Sequence, residues 1–296
     1  MTLHFSKGHG TGNDFVLLPD PDGALDLTAE HVRALCDRRF GIGADGVLRV
    51  VRTERAAQAP DIDIRAYPGA PEWFMDYRNA DGSIAAMCGN GIRVFARYLV
   101  DRGWAHPGRL EILTRGGIRV LEVPRSGDIE VDMGAPVFAG FPSQTQVGLD
   151  GQLFAAVGLG MPNPHAVVQL PSLVALPELL TNVHLDAATF PQGANVEFVM
   201  PLPGSTPAVR MRVLERGSGE TLSCGTGACA VGVVVTRDRG LARGTPIDVH
   251  LPGGVLQVMH TPANTVHMTG PAVIVADGEL RDDWWASDPI AIEEAP

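Results

Sequence analysis

Two cysteines of the 296-residue chain lie in the same glycine-rich setting. The first stands in Cys88-Gly-Asn-Gly91 and the second in Cys224-Gly-Thr-Gly227, 136 residues further along the chain. A thiolate can remove a proton from carbon, and a thiol can deliver one. If one cysteine acts on each face of the same carbon, the result is inversion of a stereocentre. The two motifs therefore indicate acid–base chemistry by thiols on opposite walls of one cleft.

The rest of the chain repeats in step with the two motifs. Asn79 precedes Cys88 by nine residues, as Glu215 precedes Cys224. Nearer the N-terminus the offset between the copies is 150 instead of 136. The first copy must therefore contain an insertion of 14 residues, which we place in the Ala- and Pro-rich stretch 56–73. The pairs at that offset are Gly8 with Gly158, Gly10 with Gly160, Asn13 with Asn163, Phe40 with Phe190 and Gly43 with Gly193. A repeat of this length predicts a duplicated domain rather than a solenoid.

Each cysteine is predicted to stand at the start of a helix. After Cys88, apolar residues recur with helical spacing from Ile92 onwards, and the pattern stops at Gly103. After Cys224, the segment 228–235 is apolar nearly all round, which indicates a buried helix. Amide hydrogens at a helix start stabilise an anion, so we expect them to lower the thiol pKa and to hold a substrate carboxylate.

Composition excludes several classes of function. The chain is 45% apolar with a net charge of −11, which argues against a nucleic-acid or anionic-membrane partner. It has no apolar run of transmembrane length, and its N-terminus lacks the apolar core of a secretory signal, so we expect a cytoplasmic protein. Pyridoxal phosphate needs a lysine, and the only lysine, Lys7, lies outside the repeated motif, so we expect no cofactor. The cysteines show no metal-ligand spacing, and Cys36 and Cys229, which lack the motif, are predicted to be structural.

Simpler interpretations of the same residues stay open at this point. A single Cys-Gly-x-Gly motif is more often a buried small residue before a tight turn. Asn13 and Asn163 lie beside glycine or proline and could simply shape loops. His165 precedes an apolar run, as a core histidine would, and the pair Glu215-Arg216 could be a solvated ion pair on a turn.

The order of the motifs resembles that of the diaminopimelate epimerases over essentially the whole chain. The motifs that carry the resemblance are His9-Gly-Thr-Gly-Asn13-Asp-Phe15, Gly41-Ile-Gly-Ala-Asp45-Gly46, Asn79-Ala-Asp-Gly-Ser83, Met87-Cys88-Gly-Asn-Gly91, Gly160-Met-Pro-Asn163-Pro-His165, Asn195, Glu215-Arg-Gly-Ser-Gly-Glu220 and Ser223-Cys224-Gly-Thr-Gly-Ala-Cys229-Ala230. The resemblance implies a cofactor-independent epimerase that interconverts LL- and meso-2,6-diaminoheptanedioate for lysine and peptidoglycan synthesis. It also implies that the partners are a small dicarboxylate amino acid and a second copy of the chain in a homodimer.

The fold class implied by the resemblance is α/β (α+β). It consists of two pseudo-symmetric domains, each a curled, mainly antiparallel sheet around a central helix, with the active site in the cleft between them. We predict an N-terminal repeat domain at 1–137 with a returning C-terminal strand at about 272–280, and a C-terminal repeat domain at 138–271. Residues 281–296 are predicted to be a tail with partial disorder.

Site residues are carried over by position in the motifs. Cys88 and Cys224 are then the acid–base thiols, Glu215 is expected near the reacting ammonium group and the second thiol, and His165 is expected near the first thiol. The positions that match substrate-binding residues are Asn13, Asn79, Gly89, Asn90, Asn163, Asn195, Arg216, Gly225 and Thr226. Donors beside each cysteine suit a carboxylate that gains charge when the α-proton leaves. Arg216 suits a bidentate grip on the distal carboxylate.

The chain departs from the family pattern at three positions. Some members have a substrate-contacting glutamine at the position of Gly46, an acidic residue at that of Ile84, and a tyrosine at the dimer contact where this chain has His267. Two alternatives remain: a relative of proline racemase or hydroxyproline epimerase, and a noncatalytic amino-acid binder on the same scaffold. Arg216 and the asparagines favour an open-chain dicarboxylate, and the presence of both thiols argues against a binder. A dithiol redox protein is disfavoured because the two cysteines lie in separate copies.

Overall fold

The computed structural model describes residues 3–58, 62–174, 176–177 and 180–286. Over these residues the chain forms eighteen strands, four α-helices and two short 3₁₀ helices. The strands are β1 (Leu3–Gly10), β2 (Asn13–Pro19), β3 (Gly46–Arg52), β4 (Trp73–Asn79), β5 (Gly108–Thr114), β6 (Gly117–Val123), β7 (Ile129–Asp132), β8 (Thr145–Leu149), β9 (Gln152–Gly160), β10 (Pro164–Gln169), β11 (Val183–Leu185), β12 (Asn195–Pro201), β13 (Ala208–Glu215), β14 (Gly219–Thr221), β15 (Pro246–Leu251), β16 (Gly254–His260), β17 (Val266–Gly270) and β18 (Val273–Leu280). The helices are α1 (Ala29–Cys36), α2 (Gly89–Asp101), α3 (Gly225–Asp238) and α4 (Asp282–Ala286), and the 3₁₀ helices are Thr53–Gln58 and Ile64–Ala66. None of the helices in this described part is both long and apolar enough to cross a membrane.

The chain divides into two compact units. Unit 1 consists of Met1–Ile129 and Pro271–Pro296, and unit 2 of Glu130–Gly270. The last strand, β18, belongs to unit 1, where it pairs antiparallel with β1. The boundary between the units thus lies between Ile129 and Glu130. The sequence pattern predicts the end of the first copy at residue 137, a few residues nearer the C-terminus.

The sheet of unit 1 surrounds helix α2. Its strand order is β18-β1-β2-β3-β4-β5-β6, in which the pairs β2–β3 and β4–β5 are parallel and the others antiparallel. Helix α2 packs against β1, β2, β3, β4, β6 and β18. Its residues are buried from Gly89 to Leu99, so the helix that the sequence predicts after Cys88 is confirmed as the core of this unit.

Unit 2 repeats this arrangement around helix α3. Its strand order is β9-β10-β12-β13-β15-β16-β17, in which β10–β12 and β13–β15 are parallel and the others antiparallel. Helix α3 packs against β9, β10, β12, β15, β16 and β17. From β1 to β6 and from β9 to β16 the two sheets therefore show the same series of antiparallel, parallel, antiparallel, parallel and antiparallel pairs. The predicted fold class is confirmed in each unit.

Strand register identifies equivalent positions in the two units. Phe15 of β2 pairs with Gly46 of β3, and His165 of β10 pairs with Asn195 of β12. Phe15 is therefore the counterpart of His165, and Gly46 is the counterpart of Asn195. The internal repeat of the sequence is thus a repeat of the structure, although the side chains at equivalent positions differ.

The predicted insertion at 56–73 adds a small apolar cluster to unit 1. Ile62, Ile64 and Tyr67 pack against buried residues that include Val51 of β3 and Phe74 of β4. Residues 59–61 of the insertion lie outside the described residues. The described part of the insertion therefore covers strands β3 and β4.

Part of the predicted tail packs on unit 1. Residues Asp282–Ala286 form helix α4, and the ring of Trp285 stacks on His31 of α1 with centroids 4.2 Å apart. The remainder of the tail, 287–296, lies outside the described residues, and the disorder predicted for it stays a prediction.

Buried ion pairs attach β4 to its surroundings in unit 1. Asp76 of β4 is fully buried, and its carboxylate lies 2.8 Å from Arg115 and 3.2 Å from Arg78. Arg49 of β3 lies 3.6 Å from the same carboxylate. Burial opposes ionisation of Asp76, but Arg115 and Arg78 outweigh it and hold its pKa below the usual value. This network stabilises the strand that leads to Asn79 and then to the first cysteine motif.

Replacement of Asp76 by alanine should lower the free energy of unfolding by about 3–5 kcal/mol, because it leaves buried guanidinium groups without their carboxylate. Urea denaturation followed by circular dichroism measures the loss. Because the pKa of Asp76 is lower in the folded state, its contribution is present at neutral pH and should be lost as the pH falls through the folded-state pKa. Glu54→Ala, at an exposed ion pair with Arg55, is the control and should change the free energy by less than about 0.5 kcal/mol. A parent-like Asp76→Ala variant would contradict the assignment.

Candidate active site

Each motif cysteine is the N-cap residue of the central helix in its unit. The sulfur of Cys88 accepts a hydrogen bond from the amide of Gly91 at 3.3 Å, and the sulfur of Cys224 accepts one from the amide of Gly227 at 3.4 Å. The first amides of a helix have no partner within the helix, and they lie at the positive end of its dipole. Both sulfurs therefore stand where an anion, either a thiolate or a carboxylate, is stabilised.

Asparagine side chains surround Cys88. The thiol lies 3.7 Å from Asn13 Oδ1, which also accepts a hydrogen bond from Asn90 Nδ2 at 3.3 Å. Asn13 Nδ2 donates to Asp45 at 2.7 Å. Asp45 thereby fixes the amide of Asn13 with its oxygen toward the thiol. Sequence reasoning missed this role of Asp45, although the residue is part of a motif that carries the resemblance.

A buried arginine supports the first turn of α2. Arg93 is fully buried, and its guanidinium donates to the carbonyl of Gly89 at 3.1 Å and to Asn90 Oδ1 at 3.0 Å. These bonds hold the two residues that follow Cys88, which are candidate donors to a substrate carboxylate. Arg93 was also missed by sequence reasoning, because it lies in a helix interior rather than in the glycine-rich motif.

Asn79 forms hydrogen bonds outside the Cys88 group. It accepts a hydrogen bond from the Tyr77 hydroxyl at 2.8 Å and donates to Ser83 Oγ at 2.9 Å. Gly46, its partner in the β3–β4 ladder, has no room for a side chain, because a Cβ there would lie 2.6 Å from the carbonyl oxygen of Arg78 and 2.7 Å from the Tyr77 ring. The Tyr77 ring thus takes up the space beside position 46.

Cys224 has polar neighbours of a different kind. Asn195 Nδ2 lies 3.7 Å from the sulfur, and Thr226 Oγ1 lies 3.5 Å from it. Asn195 Oδ1 accepts a hydrogen bond from the amide of Arg216 at 2.9 Å, which orients its Nδ2 group toward the sulfur. Unlike Cys88, which is partly exposed, Cys224 is buried.

Burial raises the pKa of the Cys224 thiol well above its usual value, and the carboxylates of Glu215 and Glu197 raise it further. The bonds from Thr226 and the Gly227 amide act in the opposite direction but are outweighed. The expectation of a lowered pKa is therefore wrong for this cysteine. The magnitudes explain why, since a helix terminus contributes at most about 2 kcal/mol. Burial can shift a pKa by about 3–5 units, each of about 1.4 kcal/mol.

Glu215 lies against this thiol at the end of β13. Burial raises its pKa, although hydrogen bonds donated by Thr221 and by the Cys224 thiol act the other way. The neighbouring carboxylate of Glu197 adds to the increase. The predicted place of Glu215 beside the second thiol agrees with this geometry.

His165 forms a buried pair with a carboxylate that sequence reasoning missed. His165 and Glu197 are both fully buried, with Nδ1 of the ring 2.7 Å from Glu197 Oε1. Nε2 of the ring lies 3.2 Å from Asn163 Oδ1. A signal for Glu197 was present in the sequence, because residues two apart in a strand share a face and Glu197 follows Asn195 in an otherwise apolar run.

Arg216 is exposed at the end of β13. Its Nη1 donates to the carbonyl of Gln192 at 2.8 Å, and the described residues place no carboxylate within ion-pair distance of its guanidinium. The solvated ion pair between Glu215 and Arg216 is therefore not formed. The guanidinium can therefore donate hydrogen bonds to the carboxylate of a ligand.

The two remaining thiols are buried in helices, and the single lysine forms an ion pair. Cys36 is buried at the end of α1, where burial raises its pKa to about 12, and Cys229 is buried within α3. Lys7 forms an ion pair with Asp14 at 2.7 Å. Among the described residues, no group of three or more His, Cys, Asp or Glu side chains is arranged to hold a metal ion.

Comparison with known families bears out the resemblance. The family model for diaminopimelate epimerase matches residues 5–139 and 155–275. The diaminopimelate epimerase of Streptomyces coelicolor is 48% identical over 288 residues, covering 95% of this chain and 96% of the relative. That of Thermobifida fusca is 47% identical over 279 residues, covering 94% and 98%. That of Corynebacterium glutamicum is 44% identical over 291 residues, covering 95% and 99%.

Solved structures of low sequence identity share the fold. A predicted epimerase from Pseudomonas aeruginosa matches with a TM-score of 0.65 at 16% identity, covering 94% of this chain and 99% of that one. A hydroxyproline epimerase from Agrobacterium vitis matches with a TM-score of 0.61 at 13% identity, covering 94% and 92%. At such identities the likeness concerns the fold alone.

Removal of the Glu215 charge should make the Cys224 thiol more acidic, because the carboxylate raises the pKa of that thiol. In Glu215→Gln, alkylation of Cys224 by iodoacetamide should therefore begin at lower pH than in the parent. Mass spectrometry of the Cys224 peptide across a pH series measures this. Glu220→Gln is the control, because it removes a carboxylate of strand β14 that is paired with Arg212 of β13. It should leave the pH profile of Cys224 alkylation unchanged. An unchanged profile in Glu215→Gln would show that its carboxylate does not act on the thiol.

Proposed function

Because the chain belongs to the diaminopimelate epimerase family, we propose that it is an isomerase that interconverts LL- and meso-2,6-diaminoheptanedioate without a cofactor. This reaction supplies precursors of lysine and peptidoglycan. The observation that supports the proposal most directly is an N-cap thiol at the start of the central helix in each unit. A fold of this kind could serve other chemistry, but two acid–base groups at equivalent positions match a reaction that handles one proton on each face of a carbon.

The proposed reaction needs one thiolate and one thiol at a time. The thiolate takes the α-proton and becomes a thiol, while the electron pair of the broken C–H bond moves toward the α-carboxylate. The second thiol then donates its proton to the opposite face of the carbon and becomes a thiolate. Protons and charge are conserved in each turnover, which leaves the proton on the first cysteine. Proton exchange with water then restores the starting form, and the reverse reaction exchanges the two roles. No redox partner or metal takes part in these steps.

The two units would supply these groups in different protonation states. The raised pKa of Cys224 keeps it a protonated thiol at neutral pH, so it is the proton donor for the first turnover. In this proposal, Cys88 is the group that removes the α-proton. Glu215, which accepts a hydrogen bond from the Cys224 thiol, can also receive the substrate ammonium group, because both interactions use a carboxylate oxygen.

Backbone and side-chain donors beside each cysteine would stabilise the developing charge. The amides at the start of α2 and α3, with the side chains of Asn90 and Thr226, suit a carboxylate that becomes more negative as the α-proton leaves. Exposed Arg216 suits the distal carboxylate of a dicarboxylate substrate, with a planar donor pair matching two oxygens. Asn13, Asn79, Asn163 and Asn195 are the other proposed substrate-binding residues.

Three further features of the proposal rest on the resemblance and on the sequence. The placement of His165 near the first thiol, a homodimer, and a cytoplasmic location all remain proposals. At the position of the family's dimer-contact tyrosine, His267 Nδ1 lies 3.0 Å from Glu130 within unit 2. The contact that the tyrosine makes in other members would therefore have to be made differently here.

Incorporation of deuterium at the α-carbon tests the function. In deuterated water, with LL-diaminoheptanedioate, reduced protein and no added cofactor, the parent should incorporate deuterium with inversion. Cys88→Ser and Cys224→Ser should each lose inversion by about 10²-fold or more, because each removes one acid–base group. NMR of the α-position and chiral chromatography follow the two events separately.

The controls in this experiment separate the alternatives. Cys36→Ser changes a thiol outside the motifs and should keep the parent rate. Exchange with proline or hydroxyproline but not with diaminoheptanedioate would move the assignment to the racemase relatives. Absence of exchange with any of these amino acids would favour a noncatalytic binder and overturn the proposed function.

A further inference from the structure

The buried pair of His165 and Glu197 has a role that packing alone does not require. Glu197 lies on β12 and His165 on β10, two adjacent parallel strands against which helix α3 packs. Both side chains have no exposed surface, and they meet at 2.7 Å. Within the described part of the chain, no donor reaches the second carboxylate oxygen, Oε2 of Glu197. A buried carboxylate with an unpaired oxygen is unfavourable for folding.

Unit 1 shows that the same positions can be apolar. The counterpart of His165 is Phe15, and the counterpart of Glu197 is Leu48, which lies two residues beyond Gly46 as Glu197 lies two beyond Asn195. Phe15 and Leu48 are also fully buried. An aromatic and an aliphatic side chain thus fill this place in the other copy of the fold.

In each motif, the glycine three residues after the cysteine faces these side chains. A Cβ at Gly91 would lie 3.3 Å from Leu48 and 3.4 Å from Phe15. A Cβ at Gly227 would lie only 2.6 Å from Glu197 Oε1. The carboxylate therefore approaches the first turn of α3 more closely than any side chain at 227 would permit, and the second glycine of the Cys224 motif makes room for it.

We propose that Glu197 is a positioning residue that orients Asn163 through His165, an inference that rests on the proposed function. The Glu197 carboxylate accepts the Nδ1 hydrogen bond and fixes the ring. The other ring nitrogen, Nε2, lies 3.2 Å from Asn163 Oδ1, an atom that can only accept a hydrogen bond. Donation to that oxygen requires a second proton on the ring, whose charge the carboxylate balances.

The consequence concerns the amide of Asn163. With its oxygen held by the ring, its Nδ2 group points to the other side of the amide carbon, where it can donate to a carboxylate of the substrate. Without Glu197, a neutral ring could present a lone pair at Nε2 instead, and the amide would turn its oxygen toward the substrate carboxylate. Glu197 thus determines whether Asn163 attracts or repels an anionic ligand.

Glu197→Leu, which introduces the residue of unit 1, is the main test. It should raise KM for diaminoheptanedioate by about 10- to 100-fold, because it removes a hydrogen bond to a charged group, whereas a change in kcat would report the separate effect of Glu197 on the pKa of the Cys224 thiol. Its melting temperature should fall, because the buried ring loses its carboxylate, so the kinetics are measured at a temperature at which circular dichroism shows the variant to be folded. Glu197→Gln, which keeps the volume but not the charge, should show the same direction of change. Asp248→Asn, at an exposed carboxylate bonded to Gln257, is the control and should keep parent kinetics.

A second pair of variants tests whether the effect passes through the ring. His165→Phe and the double variant His165→Phe/Glu197→Leu should have the same KM, because the carboxylate affects substrate binding through the histidine. The double variant reproduces the pair of unit 1 and is expected to fold. If the KM increases of the two single variants added up in the double variant, the proposal would be contradicted. A parent-like KM in Glu197→Leu, or a rise in its KM that unfolding explains, would contradict it as well.

Nitrogen-15 NMR of histidine-labelled protein gives a readout that does not depend on activity. The His165 signals, identified by their absence in His165→Phe, should show protons on both ring nitrogens in the parent and on one in Glu197→Leu. The same ring state in both proteins would overturn the proposal. If the parent binds and converts no diaminoheptanedioate, the proposed function fails, whereas the NMR comparison still decides whether Glu197 controls the ring.

Discussion

The hydrogen bond from the third residue of each central helix to a cysteine sulfur is the interaction on which the rest of the structure depends. It places the sulfur at the positive end of a helix that is buried within its own sheet. The glycines of the motif follow from this placement, because the first turn lies against side chains of the sheet and leaves no room beside Gly227. Two copies of one fold thereby present the same nucleophilic atom at the same point.

The copies differ in the charges that surround that atom. In unit 1, the buried cation of Arg93 and a set of amide side chains support the turn that follows Cys88. In unit 2, the carboxylates of Glu215 and of buried Glu197 lie near Cys224 and raise the pKa of its thiol. A two-base reaction begins with a proton on one group and none on the other, and the raised pKa of Cys224 favours the form in which Cys224 carries that proton. The duplicated fold supplies the geometry, and substitutions at equivalent positions supply the carboxylates that raise the pKa of Cys224.

Much of this arrangement could be predicted from the sequence. The paired cysteine motifs, the two helices and the fold class followed from repetition, apolar spacing and resemblance to one family. The pKa of Cys224 could not, because it depends on burial and on carboxylates 9 and 27 residues distant in sequence. Glu197 and Arg93 were missed for a similar reason, since a charged residue within an apolar run shows its partner only when strands and helix are packed. The small cluster built by the insertion likewise depends on contacts with β3 and β4 that no local pattern indicates.

If the two thiols act on the same carbon, they must be able to reach each other. Mild oxidation of the reduced protein, followed by peptide mass analysis, measures which cysteines form a disulfide. We expect a bridge between Cys88 and Cys224, with buried Cys36 and Cys229 unpaired, and activity that is lost on oxidation and recovered with a reductant. Oxidation that inactivates the protein without linking residues 88 and 224, or that leaves both thiols reduced, would show that the two thiols do not act on one carbon.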